Sequence, residues 1–124
     1  IVNRTAEKAE QLAQAFADLG NIQGGGLASI DGQFDLVING TSASLSGELP
    51  PLPETLFAKG AWAYDMMYGS EPTVFLQWAG PRGAKLLDGL GMLVEQAAES
   101  FFLWRNVRPE TASVRTLLRQ SLNY

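Results

Sequence analysis

The residues best suited to recognise a phosphate stand at the beginning of the sequence, in Asn3-Arg4-Thr5. Two apolar residues before them predict a strand end. In a dinucleotide-binding unit, a carboxylate at this point binds the ribose of NAD, whereas a cation accommodates the additional phosphate of NADP. Arg4 supplies that cation, and Thr5, the first helical amides and Lys8 would add donors. An exposed arginine beside a helix-capping threonine explains the same residues without a ligand.

Two further groups of side chains follow predicted strands. Residues 34–39 form an apolar run typical of a central parallel strand, and it ends at Asn39-Gly40-Thr41. A shorter strand at residues 61–65 leads into Met66 and Tyr68. Because ligands of open parallel sheets bind beyond the carboxyl ends of the strands, both groups are expected to line one crevice. The alternatives are an ordinary strand-to-loop turn and core packing.

Two glycines, Gly89 and Gly91, stand at the start of a helix predicted over residues 89–104. Glycine costs about 1 kcal/mol relative to alanine inside a helix, so the pair indicates close packing against another surface. Gln96 lies about 10 Å further along the same helical face. A solvated glutamine on an amphipathic helix is the alternative interpretation.

The composition excludes several kinds of chemistry. The 124 residues include no histidine and no cysteine, so thiolate chemistry and histidine bases are absent, and we predict no metal site. A net charge of −4 spread over mixed charges predicts neither nucleic-acid nor membrane binding, and no apolar run reaches the roughly 18 residues that span a bilayer. We therefore expect a small-molecule ligand and a cytoplasmic protein.

Strands that alternate with helices predict an α/β fold, and we expect one domain over residues 1–124. We expect a Rossmann-type NAD(P)-binding domain, a three-layer parallel sheet with helices on both faces, truncated at its N-terminus so that its first strand and glycine-rich loop are missing. Thr5 is expected to cap the first helix, which buries Ala9, Leu12, Ala13, Phe16 and Leu19. Further helices are predicted from Pro72 to Ala79, over residues 89–104 with Leu90, Leu93, Val94, Ala97, Phe101 and Trp104 buried, and at the terminus within residues 109–124.

Four segments in this order resemble the shikimate dehydrogenases. They are Asn3-Arg4-Thr5 with Lys8, then residues 35–42, then residues 64–68, and then residues 88–98, which read DGLGMLVEQAA. The resemblance implies the C-terminal part of an NADP-dependent enzyme that reduces 3-dehydroshikimate to shikimate in chorismate and aromatic amino acid biosynthesis. The implied cofactor contacts are Asn3, Arg4, Thr5, Lys8, Thr41, Met66 and Gly89, and the implied substrate contacts are Tyr68 and Gln96.

The resemblance also implies what this sequence does not contain. The family's pyrophosphate loop and its catalytic lysine and aspartate precede the part that matches, and neither Lys59 nor Lys85 lies in a matching motif. No catalytic residue is therefore predicted here, and the chain alone is expected to be inactive. A sheet without its central first strand would have open edges, so we expect a clipped enzyme, or a homodimer or swapped assembly.

Two alternatives remain open at this point. A relative that accepts quinate or uses NAD belongs to the same class, although Arg4 disfavours NAD. A non-catalytic NADP-binding regulatory module could use the same fold, since a fold does not by itself establish an activity.

Overall fold

The computed structural model describes residues 1–122, except the side chains of residues 44 and 45. Residues 123 and 124 of the predicted terminal helix therefore lie outside the described part. Where the sequence predicts one domain, backbone contacts divide the chain into two compact units. The first comprises Ile1–Gln33 and Pro50–Leu56, and the second comprises Phe34–Leu49 and the chain from Phe57 onward.

The first unit contains one α-helix, α1 (Ala6–Ala15), and a parallel bridge between Val2 and Gly25. The helix is close-packed at Gly24, where an added Cβ would overlap the carbonyl oxygen of Ala9. Two small residues, Ala9 and Ala13, form its buried face. The larger residues predicted on that face are instead exposed, namely Leu12, Phe16 and Leu19. Small side chains thus define the packed side of α1, and the absence of a side chain at Gly24 lets the neighbouring backbone approach the helix closely.

The second unit contains a parallel sheet of three strands in the order β1-β2-β3. They are β1 (Phe34–Asn39), β2 (Phe57–Asp65) and β3 (Lys85–Leu87). The observed β1 has the predicted bounds, but β2 begins four residues earlier than predicted. Gly60 has a positive φ of 82°, and the pairing register shifts in the same stretch. This irregularity interrupts the alternation of inward and outward side chains along β2. The sequence pattern therefore does not predict the first four residues of the strand.

Three α-helices accompany this sheet: α2 (Val74–Ala79), α3 (Leu90–Arg105) and α4 (Ala112–Ser121). The predicted start of α2 at Pro72 is wrong, because the Thr73 side chain accepts the Leu76 N–H at 3.3 Å and caps the helix. The buried residues of α3 are Leu90, Val94 and Ala98. Four of the residues predicted on its buried stripe are instead exposed, namely Leu93, Ala97, Phe101 and Trp104.

The core of the second unit lies between β2 and α2. Ala61 and Ala63 of β2 are buried, and the helix contributes Phe75, Leu76 and Ala79. In contrast, the apolar side chains of β1 are largely exposed, with Leu36 at 53% and Ile38 at 55%. The sequence predicts β1 as a central strand, but β2 is its only ladder partner among the described residues, so β1 is an edge strand here.

The architecture is that of a parallel sheet with helices on both faces, as the alternating elements predict. The carboxyl ends of β1 and β2 are in register, since Asn39 pairs with Asp65, and Tyr64 is in turn opposite Leu87 of β3. The chain segments that leave these three strands therefore emerge at one edge of the sheet. Among the described residues, no helix is long and apolar enough to cross a membrane.

Candidate cofactor-binding site

Four segments that follow paired strand residues form the same hydrogen-bonded turn. In each, the side-chain Oδ1 of an Asn or Asp accepts the backbone N–H of the second residue after it, which is an Asx turn. The donor–acceptor distances are 2.9 Å from Thr5 to Asn3, 3.1 Å from Thr41 to Asn39, 2.9 Å from Met67 to Asp65 and 3.2 Å from Leu90 to Asp88. We call these four segments the strand-end turns. Their middle residues are Arg4, Gly40, Met66 and Gly89.

The strand-end turn of the first unit, at residues 3–5, lies at the start of α1. Asn3, Arg4, Thr5 and Lys8 are all exposed. Thr5 occupies the N-cap position, but its side chain makes no capping bond, contrary to the prediction, and the Lys8 N–H donates to the Thr5 carbonyl at 3.1 Å instead. The segment thus offers two cations beside a helix N-terminus, a combination of charge and amide donors that suits a phosphate group.

Two strand-end turns of the second unit, at residues 39–41 and 65–67, share a buried polar network centred on Asp65, which is 0% exposed. The Asn39 amide donates to Asp65 Oδ2 at 3.1 Å, and the Thr73 hydroxyl donates to the same oxygen at 2.6 Å. The Met67 N–H donates to Oδ1. Donors of this kind are what make a buried carboxylate tolerable. Asp65 therefore joins the ends of β1 and β2 to the first turn of α2.

Asn39 extends this network towards Thr41, one of the predicted cofactor contacts. Asn39 is itself buried at 8% exposure, and its Oδ1 accepts the Thr41 hydroxyl at 2.8 Å as well as the Thr41 N–H. The backbone on either side is also tied down, because the Met66 N–H donates to the Asn39 carbonyl at 3.0 Å. The structure thus brings Thr41 and Met66, which were predicted separately, onto the same network.

The predicted close packing of Gly89 is confirmed, and its partner is the backbone of Met66. A Cβ added at Gly89 would overlap the Met66 carbonyl oxygen, and the Gly89 N–H donates to the Met67 carbonyl at 3.1 Å. Gly40 borders the other side, since its Cβ would lie 3.3 Å from Met66 Sδ. Gly91 is different: nothing lies within 4 Å of an added Cβ, so no described part of this chain packs closely against the second glycine.

The two predicted substrate residues both lie at the surface of the second unit. Tyr68 follows the β2 strand-end turn and is 43% exposed. Gln96 is exposed on α3, and its Nε2 donates to the Leu93 carbonyl of the same helix at 2.9 Å. Because a glutamine amide carries two N–H donors and a carbonyl acceptor, this single bond leaves the Gln96 amide able to engage a ligand as well.

Sequence reasoning missed the residues that hold the strand-end turns in place. Asp65 and Thr73 form the buried network, and Asp88 pairs with Arg119 of α4 through two hydrogen bonds of 2.7 and 2.8 Å. One available signal was the repeated Asn or Asp at strand ends. The partner Arg119 had no such signal, because it lies 31 residues from Asp88. Within the described part, no group of three acidic residues could hold a metal ion.

A parallel sheet whose strand-end turns emerge at one edge, and an arginine just before a helix N-terminus, are typical of the class of dinucleotide-binding α/β proteins. The family within that class follows from comparison with known proteins. A profile of the Shikimate 5'-dehydrogenase C-terminal domain matches residues 89–119. These are the residues from Gly89 through α3 to Arg119.

Curated relatives match the chain over nearly all of its length. A shikimate dehydrogenase (NADP(+)) of Chromohalobacter salexigens is 65% identical over 98% of this chain and 45% of its own length. The shikimate dehydrogenase (NADP(+)) of Cellvibrio japonicus is 62% identical over 99% of this chain and 45% of its own length. The chain therefore spans somewhat under half the length of these relatives.

Solved structures agree in fold. An Ael1 enzyme from Pseudomonas putida has a TM-score of 0.86 and 45% identity, covering 95% of this chain and 44% of its own. A 5-ketofructose reductase of Gluconobacter has a TM-score of 0.75 and 32% identity, covering 98% of this chain and 46% of its own. A shikimate dehydrogenase in complex with NADP+ has a TM-score of 0.75 and 30% identity, covering 100% of this chain and 46% of its own. The resemblance to the C-terminal part of the shikimate dehydrogenases, which the four segments predict, is confirmed by these comparisons.

Proposed function

We propose that this chain is the NADP-binding part of a shikimate dehydrogenase, an oxidoreductase that reduces 3-dehydroshikimate to shikimate in aromatic amino acid biosynthesis. The observation that carries this proposal is 65% identity to an enzyme of that name over 98% of the chain. The bound cofactor would supply the hydride. The residues of this chain would bind and orient the cofactor and form part of the substrate wall.

The cations of the first unit fit the adenosine phosphate of NADP. Arg4 carries a planar guanidinium that can pair with two phosphate oxygens, and Lys8 adds a second positive charge one turn along α1. Asn3 and Thr5 fix the turn on which Arg4 stands. Nothing within residues 3–5 carries a negative charge that would repel a phosphate.

The strand-end turns of the second unit fit the nicotinamide half. Thr41, Met66 and Gly89 lie at the carboxyl edge of the sheet, where ligands of such folds bind. The buried Gly89 brings the start of α3 directly against the backbone of Met66, whose side chain is exposed. Tyr68 and Gln96 would contact the hydroxyl or carboxylate groups of the substrate.

The experiment that tests this function uses the natural protein that carries the chain, purified at its full length. We expect shikimate to reduce NADP+ in an absorbance assay for NADPH, with NAD+ a much poorer substrate. The 124-residue chain alone should show no turnover, because it supplies no catalytic residue. Absence of turnover with shikimate in the full-length protein would overturn the proposal.

A second candidate differs in the substrate. Similarity to a 5-ketofructose reductase at 32% identity and a TM-score of 0.75 favours a relative that reduces another polyhydroxylated ketone. Quinate oxidation and a non-catalytic NADP-binding regulatory role are the further alternatives. Assays of the same protein with shikimate, quinate and 5-ketofructose side by side distinguish these, since the regulatory role predicts NADP+ binding without turnover of any of them.

The location and assembly of the protein are also part of the proposal. The absence of cysteine and of apolar spans long enough for a bilayer is consistent with a cytoplasmic enzyme. The edge strand β1 exposes Leu36 and Ile38, which supports pairing with another strand, as in a homodimer or swapped assembly of this chain. Light scattering on the isolated chain should then give a mass above that of the monomer, and a monodisperse monomer would argue against this assembly.

A further inference from the structure

The C-terminal helix α4 is joined to the strand-end turn of β3 by a two-pronged ion pair. Arg119 donates from Nη1 to Asp88 Oδ2 at 2.8 Å and from Nη2 to Asp88 Oδ1 at 2.7 Å. The Asp88 side chain is only 6% exposed and that of Arg119 is 33% exposed. A parallel pair of bonds to a planar carboxylate fixes orientation as well as distance. This pair is therefore both shielded from solvent and geometrically specific.

Two other ion pairs near α3 and α4 are exposed to solvent and have only one contact each. The Arg108–Glu99 pair has a single contact of 2.7 Å, and the side chains are 57% and 52% exposed. Arg115, one turn before Arg119 on α4, lies 3.9 Å from Glu95, and these side chains are 51% and 56% exposed. Surface pairs of this kind contribute little.

Asp88 also contacts residues that pack against the carboxyl edge of the sheet, so its position affects theirs. Its Oδ1 accepts the Leu90 N–H at 3.2 Å, so the carboxylate that receives Arg119 also fixes the first turn of α3. The next residue, Gly89, lies against the Met66 carbonyl and donates to the Met67 carbonyl at 3.1 Å. A rotation of the residue 88–90 turn would therefore displace Met66 and Met67 directly, because no side chain intervenes.

From this geometry we infer that Asp88 and Arg119 are a positioning pair, through which α4 and the buried Gly89 set the position of the exposed Met66 surface. The inference rests on the function proposed above, in which that surface faces the nicotinamide half of NADP. Neither side chain needs to touch the cofactor. Their effect is on the alignment of the reacting ring with the substrate, and a displacement of about 1 Å at such a surface can lower a rate by about a hundredfold.

The test compares three variants of the full-length protein: Arg119→Gln, which removes the charge; Arg119→Lys, which keeps it but loses the planar fork; and the matched control Arg115→Gln on the same helix. We expect Arg119→Gln to lower kcat at least about tenfold and Arg119→Lys to have an intermediate effect. Arg115→Gln should leave kcat unchanged. Affinity for adenosine 2′,5′-bisphosphate, which lacks the nicotinamide, should be unchanged in all three.

These measurements separate positioning from a general loss of stability. A purely structural role would lower the folded fraction, whereas kcat per folded molecule and the ligand affinities would remain those of the wild type. Arg119→Lys provides the decisive measurement if Arg119→Gln folds poorly. Unchanged kcat in the folded Arg119→Lys variant, or an equal loss in Arg115→Gln, would overturn the inference. A wild-type protein without turnover would instead overturn the proposed function and this inference with it.

Discussion

The strand-end turns at residues 3–5 and 39–41 have the same sequence pattern, Asn-x-Thr, and the same defining hydrogen bond, but their surroundings are opposite. Asn3 Oδ1 and Asn39 Oδ1 each accept the threonine N–H two residues later, at 2.9 and 3.1 Å. Asn3 is exposed, whereas Asn39 is buried and donates to Asp65. The middle residue is an exposed Arg4 in the first turn and, in the second, a glycine beside Met66 Sδ.

This difference shows how one local turn can serve two purposes. In the exposed turn, the middle residue is free to be long and charged, and its chemistry alone suggests a phosphate ligand. In the second turn, a Cβ at Gly40 would lie 3.3 Å from Met66 Sδ, so little room remains for a side chain, and the turn presents backbone and a small hydroxyl instead. We therefore expect substitutions in the second unit to act through packing, and substitutions in the exposed turn to act through ligand affinity alone.

The largest expected effect comes from Gly89→Ala in the second unit. The added methyl group would overlap the Met66 carbonyl oxygen, which belongs to the backbone and cannot rotate away. Overpacking of this kind costs about 1–3 kcal/mol of unfolding free energy. The displaced Met66 surface should lower kcat about a hundredfold as well. Urea unfolding and steady-state kinetics of the full-length protein measure the two effects.

Gly91→Ala is the matched control for that prediction. It makes the same chemical change two residues later on α3, where nothing lies within 4 Å of the added atom. Because alanine favours a helix over glycine by up to about 1 kcal/mol, this variant should be as stable as the wild type or more so. Equal losses in the two variants would show that glycine in general, and not contact with Met66, is what this turn requires.

A smaller effect is expected from Arg4→Ala in the exposed turn. Loss of a charge-assisted contact to the 2′-phosphate should weaken NADP+ binding roughly tenfold to a hundredfold, with NAD+ binding nearly unchanged. Stability should also be unchanged, because the Arg4 side chain is exposed. Calorimetric titration with both cofactors, alongside the exposed-lysine control Lys59→Ala, measures this selectivity. Equal losses of affinity for NADP+ and NAD+ would contradict the assignment of the exposed turn to the 2′-phosphate.

The sequence was most informative where a feature depends on near neighbours. The bounds of β1, the N-cap position of Thr5 and the start of α3 after Gly89 were all within a residue of prediction, because local spacing determines them. The three-residue β3 was missed, because it lies between Gly83, with a φ of 82°, and Asp88, and is too short to show a period.

Features that depend on distant parts of the chain were predicted less well. Leu12 and Trp104 follow the helical period of a buried face but are exposed, since spacing does not say what packs against a helix. For the site, residue types suggested Arg4 and Met66. The buried role of Asp65 was not predicted, since its partner Asn39 lies 26 residues away. The residues that hold the candidate site in place are thus harder to identify from the sequence than those predicted to line it.

The smallest expected effect concerns Glu110, which forms another local, exposed motif at the start of α4. Its carboxylate accepts the Ser113 hydroxyl at 2.6 Å and the N–H groups of Ser113 and Ala112. These bonds, the Ser113 hydroxyl first, hold the pKa of Glu110 below its ordinary value of 4.5. Because the side chain is fully exposed, its contribution to stability should be slight.

The sign of the pH dependence follows from the direction of this shift. A folded-state pKa below the unfolded one means that the native state binds fewer protons, so the stabilisation is complete above about pH 4.5 and is lost as the pH falls through the folded value. Glu110→Gln should therefore lower the Tm slightly at neutral pH and match the wild type in stronger acid. A large, pH-independent loss of Tm in Glu110→Gln would instead mean that this exposed turn matters to stability as much as the buried network around Asp65. Exposed hydrogen bonds between near neighbours and buried ones between distant residues would then not differ in their contribution to stability.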